Sequence, residues 1–336
     1  MNGEKTMGKP FKLSEAINAA LADALAEDDK VLVLGEDVAD PEHGGVFGAT
    51  LGLSTRFGEH RVRSTPISEQ AIIGAAIGAS LVGYKPVAEI MLMNFTTVAM
   101  DMIVNHAAKL RFMSGGQTSV PIVIRTVTGS GFSTGGQHAD YFEAWFAHTA
   151  GLKVVAPATP ADAYGLLLAA IDDPDPVIFI ENLPSYFMGE AVARPPKGER
   201  VPLGKARIAR EGADVTIVSY SRMVSEALAA AEALADEGVL AEVIDLRTIA
   251  PWDRETVLAS VAKTGRLLVV HEAVKPFGVG AEIAAEVGNT LFGKLKAPIE
   301  RLGAVFSPVP FSKPLETAHI PDRHSIAAAA KALVEV

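Results

Sequence analysis

The chain has no cysteine among its 336 residues. That excludes disulfides, thiolate-bound metal, iron–sulfur clusters and a cysteine nucleophile. It fits a reducing compartment, with the cytoplasm as the expected location. Long hydrophobic runs are missing as well: the least polar stretch, over residues 71–83, is too short and too rich in glycine to span a bilayer. The opening MNGEKTMGKPFK lacks the apolar centre of a secretory signal, and residues 1–9 read as a frayed leader. Basic charge is the scarcer sign, with 30 Lys and Arg against 40 Asp and Glu. A formal net charge of -10 without a basic run argues against nucleic acid as a partner.

Several catalytic signatures are absent. The first apolar run, KVLVL over 30–34, ends in Gly35-Glu36-Asp37, where a dinucleotide site needs G-x-G-x-x-G. Two acids there repel a pyrophosphate. Gly129-Ser130-Gly131 supplies only the opening letters of that pattern. The sequence has no Walker A loop, no H-E-x-x-H and no G-x-S-x-G elbow. His138 and His148 are too far apart for a helical metal pair.

What is present is a chain that is 49% hydrophobic, enough for a real core. Apolar runs over 30–34, 85–91, 120–125, 153–156 and 177–180, with a short strand expected over 61–63, alternate with helical patterns over 13–26, 96–113 and 160–172. Continuous apolar runs mark strands covered on both faces, and their alternation with helices predicts a doubly wound parallel α/β sheet. Periodicity fails between Asn182 and Glu211, where Pro184, Pro195 and Pro196 stand among charges. A second α/β unit follows, with strands expected over 215–219, 241–245, 266–270 and 297–301. The expected division is one domain over 10–185, a linker over 186–210 and a second domain over 211–336. The Pro-rich tail SPVPFSKPLETAHIPD reads as a surface strap.

The stretch over 64–83, STPISEQAIIGAAIGASLVG, is the expected centre of the chemistry. Ala71, Ala75 and Ala79 fall four apart, as do Gly74 and Gly78, so one helix face is nearly flat. A helical glycine costs about 1 kcal/mol against alanine, and two on one face call for a closely packed neighbour. Glu69 stands at the mouth of that helix. It is either a working carboxylate or simply an acid in a first turn, where acids are favoured. The segment 126–140, TVTGSGFSTGGQHAD, is a glycine loop at a strand end, and loops of that size are usually functional. His138 closes it. His148 reads as a partly buried helix residue; Phe142, Trp145 and Phe146 as core; His271 with Glu272 as a structural or interface pair.

Taken together, LGEDV (34–38), TPISE (65–69), Asn94-Phe95, GGQH (135–138), FEAWFAH, IDLRTIAPWD, VVHEA and PFGVGAEIA resemble one family from about Lys12 to the C-terminus. It is the beta subunit of the thiamine-diphosphate-dependent first component of 2-oxoacid dehydrogenase complexes, of the pyruvate, branched-chain 2-oxoacid or acetoin type. The resemblance implies a pyrimidine-binding α/β domain followed by a transketolase C-terminal-like domain. It implies that Glu69 binds the ring nitrogen of the cofactor's aminopyrimidine and favours its imino tautomer, and that Phe95 stacks on that ring. It makes His138 the residue that orients intermediates or shuttles protons in acyl transfer to lipoamide. Glu36 becomes an acid relay between paired active sites. A potassium site would map to Ile122, Ala170, Ile171, Asp173 and Asp175.

The family's magnesium–diphosphate signature, G-D-G followed some thirty residues later by Asn, is missing from this chain. By the resemblance, an alpha subunit holds the Mg2+ and the diphosphate. The assembly is an α2β2 heterotetramer, docked to a dihydrolipoyl acyltransferase core and its lipoyl domain. The flat face on Gly74 and Gly78 would then meet another subunit. Pyruvate-type members follow the loop histidine with Ser-Gln, whereas this chain has Ala139-Asp140, an added acid expected to alter the substrate mouth or the lipoyl channel. Two other readings stand beside the expected lipoamide-dependent dehydrogenase. One is the C-terminal half of a split transketolase, disfavoured because only His138 and Arg125 could meet a sugar phosphate. The other is a non-catalytic scaffold subunit, which would have no need of Glu69.

Overall fold

The computed structural model describes residues 11–187, 189–190 and 194–336. The expected leader at 1–9, and residues 188 and 191–193 of the expected linker, lie outside them. The chain forms two compact units. One holds the residues up to Met91 with Phe95–Val127 and Thr159–Pro202; the other holds Leu92–Asn94, Thr128–Ala158 and Leu203–Val336. The sequence-based division is a single cut, whereas here residues 128–158 cluster with the C-terminal half. The ties that hold them there are side chains of that half bonded to the glycine loop, described below.

In the first unit the strands lie in the order Val177–Asn182, Val123–Thr128, Lys85–Leu92, Val31–Glu36, Val62–Thr65. Val31–Glu36 pairs in parallel with both of its neighbours. Val123–Thr128 and Val177–Asn182 are buried along their whole length, which is why they read as apolar runs rather than alternating ones. Gly35 lies opposite Glu89, where a Cβ would fall 2.7 Å from the Glu89 carbonyl oxygen, so only glycine fits. Helix Leu13–Glu27 turns Leu13, Ile17, Leu21 and Leu25 inward at four-residue spacing. Burying each is worth roughly 1.5–3 kcal/mol. It packs against helix Pro160–Asp172. That helix starts at Pro160, with the Thr159 hydroxyl accepting the Asp162 N–H at 3.1 Å.

The single long helix expected over 96–113 is instead three short pieces: a 3-10 run Met93–Ala99, a π-helical stretch Met102–Ala107 and a last turn Leu110–Met113. Thr96, Thr97 and Val98 are β-branched and hold the first turns out of the α form. The expected polar stripe does form: Asn105 donates to Asp101 at 2.8 Å and Lys109 to Asn105 at 2.9 Å. The π turn packs against helix Glu69–Leu81, with Met102 Sδ 3.6 Å from where a Cβ of Gly74 would be.

The second unit has a five-stranded sheet in the order Glu300–Ala304, Leu267–Val274, Val215–Ser219, Ala241–Asp245, Arg207–Arg210. The first four are parallel and the last antiparallel. The strand expected over 297–301 is thus shifted toward the C-terminus. Helices Met223–Asp236 and Arg323–Glu335 pack on one another, and Val224, Ala227, Ala231, Ile326 and Ala330 are buried with Val215, Ile217 and Leu268 in one core. The strap contains a short helix, Lys313–His319.

Candidate active site

Glu69 is the first residue of helix Glu69–Leu81 and is half-buried. Its N-cap, Ser68, makes no side-chain bond to the helix, so the positive end of the helix dipole is left to Glu69 and to whatever approaches it. Glu36 ends strand Val31–Glu36 opposite Thr65. That is the carboxyl end of parallel strands, where ligands of open α/β sheets bind. Burial raises the Glu36 carboxyl above its ordinary value, and the charges of Asp37 and Glu69 add to the effect. The structure therefore brings Glu36 and Glu69 into one electrostatic field. On the same helix, Gly74 meets Met102, whereas Gly78 faces open space and Ala71 and Ala75 are exposed, so that part of the flat face is uncovered among the described residues. Phe95 sits half-buried in the run Met93–Ala99.

Beneath the strand ends is a cluster that sequence reasoning missed. Arg125 is fully buried. Its Nε and Nη2 donate to the two oxygens of Glu181 at 2.7 and 2.8 Å, and Nη1 donates to Glu89 at 2.6 Å. Tyr186 donates its hydroxyl to Glu181 as well. The signal was available: Glu89, Arg125 and Glu181 each interrupt an apolar strand, and buried charges of opposite sign are expected to pair.

The expected potassium ligands lie where loops 120–122 and 173–177 run together: Val120 N–H donates to the Pro174 carbonyl and Val177 N–H to that of Ile122. The Ala170 carbonyl accepts from Asp173, and Ile171 is the residue between helix positions 170 and 172. Asp173 accepts the Asp175 N–H at 2.9 Å, and Asp175 is ion-paired with Arg111.

His138 lies in the second unit and is half-buried. Its loop is built on left-handed or glycine-only backbone, with φ of 121° at Gly129, 141° at Gly131, 55° at Ser133 and 74° at Gly135. The N–H groups that such a backbone turns inward are taken by carboxylates of the same chain. Ser130 N–H donates to Glu272 at 2.6 Å; Gly131 and Ser133 donate to Glu316 at 2.6 and 3.0 Å. Burial pushes Glu316 upward, but these N–H donors outweigh it and leave the carboxyl below its ordinary value. Asp140, expected at the substrate mouth, accepts from Asn94 Nδ2 at 3.0 Å. Burial raises its carboxyl; the Asn94 bond and the His319 charge act the other way without cancelling the rise. Glu272, Glu316 and Asn94 were not singled out as parts of this site, since each reaches the loop from far along the chain.

Three smaller expectations change. Trp145 is 51% exposed and stacks on Phe142 at 4.4 Å, while Phe146 is core. His148 is exposed at the end of helix Glu143–Ala147, a five-residue helix too short to cover it. His271 and Glu272 are buried within the second unit rather than set at its surface. The His271 Nδ1 donates to the Ala273 carbonyl at 3.0 Å, and burial pushes its pKa down to about 4.

The donor chemistry decides which half of an elongated cofactor these residues suit. A carboxylate at a strand end, Glu36, and one at a helix mouth, Glu69, can meet a basic ring nitrogen. The inward N–H groups of the glycine loop, which would otherwise cradle a diphosphate, are filled by Glu272 and Glu316. Among the described residues no group of three or more His, Asp and Glu side chains could hold a metal ion, and no helix is long and apolar enough to cross a membrane. The residues fit the pyrimidine end of thiamine diphosphate and not its metal–diphosphate end.

Residues 9–187 match the transketolase pyrimidine-binding domain and residues 204–326 the transketolase C-terminal domain. A solved structure titled split gene transketolase, inactive β4 tetramer, superposes with a TM-score of 0.78 at 23% identity, covering 97% of this chain and 99% of that one, which shows the shared fold. Fold and domains thus define a transketolase-like protein of the thiamine-dependent class. The beta subunit of acetoin:2,6-dichlorophenolindophenol oxidoreductase from Cupriavidus necator is 46% identical over 97% of this chain and 98% of its own. The corresponding Bacillus subtilis subunit is 43% identical, over 94% of each. The mitochondrial pyruvate dehydrogenase E1 component subunit beta-1 of Arabidopsis thaliana is 45% identical over 96% of this chain and 89% of its own. The chain belongs to the family of beta subunits of the thiamine-diphosphate-dependent first component of 2-oxoacid and acetoin dehydrogenase complexes.

Proposed function

We propose that this chain, with an alpha subunit, cleaves a 2-oxoacid or acetoin and passes the acyl group to lipoyl-lysine. The observation that carries the reading lies within the first unit: Glu36 at a strand end, its carboxyl raised by burial and by the charges of Asp37 and of Glu69 at the mouth of the next helix. When bound, thiamine diphosphate supplies a nucleophilic carbon and an electron sink for the cleavage. Glu69 would bond the pyrimidine ring nitrogen and fix the ring's orientation, and Phe95 would pack on the ring. Glu36, raised by burial and by the charges of Asp37 and Glu69, resists ionising alongside Glu69 and serves as the next proton carrier. His138 would give a proton to the sulfur released when the lipoyl disulfide opens, that disulfide being both the acceptor of the acyl group and the oxidant.

The Mg2+ and the diphosphate belong to the alpha subunit in an α2β2 heterotetramer, for which the uncovered Gly78 face offers close approach. The larger partner is a dihydrolipoyl acyltransferase core with its lipoyl domain, and the location is the cytoplasm. The oxygens of Ile122, Ala170, Ile171 and Asp173 suit a hard cation such as potassium, which would share Asp175 with Arg111. The split-transketolase reading is not favoured, because Arg125 is buried and committed to two carboxylates.

The test is co-expression with an alpha subunit and reduction of an artificial acceptor on pyruvate, branched 2-oxoacids and acetoin. Activity on one of these that requires both subunits and thiamine diphosphate is the expected result. Activity only on ketose phosphates, or none with any partner, would overturn the proposal.

A further inference from the structure

Asn94 ties down the loop of His138 at two places, one on each side of the histidine. Its Nδ2 donates to the Gly136 carbonyl at 2.9 Å and to Asp140 Oδ2 at 3.0 Å, and its Oδ1 accepts the Asp140 N–H at 3.3 Å. One amide thus uses both donors and its acceptor on residues two before and two after His138. Thr128 adds a fourth tie, its hydroxyl donating to the Asp140 carbonyl at 2.7 Å. The same stretch is closely packed as well: an added Cβ would lie 2.4 Å from the Phe311 ring at Gly135 and 3.0 Å from Pro308 at Gly136. The backbone around His138 is thus both hydrogen-bonded and packed, while its side chain stays half-exposed.

We propose that Asn94 and Asp140 are positioning residues that act through His138, so that acyl transfer depends on them and the preceding cleavage does not. The inference rests on the transfer role read for His138. The carboxylate at position 140 is then a structural acceptor for Asn94 and not a charge aimed at the substrate. Replacing either partner leaves the loop hinged at its glycines, and a displacement of the imidazole by an ångström is enough to cost a proton transfer its alignment.

The experiment uses the reconstituted complex with the beta subunit as wild type, Asn94→Ala, Asp140→Ala or Asp140→Asn, each also combined with His138→Ala. Three quantities are read: artificial-acceptor reduction, acylation of a lipoyl domain, and hydrogen exchange in the peptide spanning 135–140. In Asn94→Ala and Asp140→Ala, loop exchange should rise and acylation fall by about tenfold or more, while acceptor reduction changes by less than about threefold. Asp140→Asn keeps an oxygen that can accept from Asn94 and should restore most of the acylation; it also covers the case in which an alanine variant fails to fold. In the His138→Ala background neither substitution should cost anything further. Unchanged loop exchange, equal losses in both assays, or a loss that persists without His138 would each overturn the inference. Normal acylation by His138→Ala alone would defeat the reading of His138 and the inference with it. An ordinary His138→Ala loss beside an unaffected Asn94→Ala would defeat the inference alone.

Discussion

Tyr220 donates its hydroxyl to Oε1 of Glu143 at 2.7 Å, with both side chains fully buried. Burial raises the Glu143 carboxyl to about 7; the Tyr220 bond opposes the rise and the charge of Glu272 adds to it. The folded chain therefore keeps a proton at Glu143 that the unfolded chain releases near its ordinary pKa of 4.5.

From that relationship, Glu143 destabilises the fold as pH rises from 4.5 to about 7, by an amount on the order of 3 kcal/mol. His271 has the opposite sign. Its folded pKa of about 4 lies below the ordinary 6.5, so it stabilises the fold as pH rises through that window. The two slopes oppose one another over their shared range. Glu143→Gln removes the Glu143 slope and leaves the other groups as they are, so urea midpoints of the variant should gain on wild type steadily from pH 4.5 to 7. Parallel pH curves for variant and wild type would contradict this assignment.

Arg125→Leu should destabilise the first unit by about 3–5 kcal/mol, because it leaves Glu89 and Glu181 buried without their cation. Denaturant unfolding of the full chain measures the loss. A cost below about 1 kcal/mol would mean that the carboxylates find other partners or protons.

Glu69→Gln should leave the complex with the alpha subunit assembled and slow turnover by about a hundredfold or more, the scale of a lost acid–base group. Sizing chromatography checks the first half and acceptor reduction the second. Near-normal turnover in an intact complex would remove Glu69 from its assigned place.

His138→Ala should abolish acylation of the lipoyl domain and leave thiamine diphosphate binding within about threefold of wild type. Calorimetry on the complex tests the second half; loss of cofactor binding would show that the histidine serves the cofactor rather than the transfer.

Much of the architecture could be read from local pattern. Strands such as Val177–Asn182 are buried on both faces and so appear as uninterrupted apolar runs. The place of Glu69 at a helix mouth was legible because a polar turn leading into a glycine-and-alanine run is a local signal. The ties of the His138 loop were not legible, since Glu272 reaches Ser130 across 142 residues and Glu316 reaches Gly131 across 185. No periodicity records such a pairing, and for the same reason residues 128–158 could not be assigned to the second unit in advance. Across the π turn at Met102–Ala107 Asn105 still reaches Asp101 and Lys109 still reaches Asn105, so the four-residue polar spacing gives no sign of it.

A counter-ion that is part of the polypeptide cannot diffuse away. Ser130, Gly131 and Ser133 point their amides at Glu272 and Glu316, so inorganic phosphate or free nucleotide in the surrounding fluid finds those groups already taken. The loop should hold one shape from buffer to buffer, and crowding by small anions should leave turnover untouched at that point of the molecule.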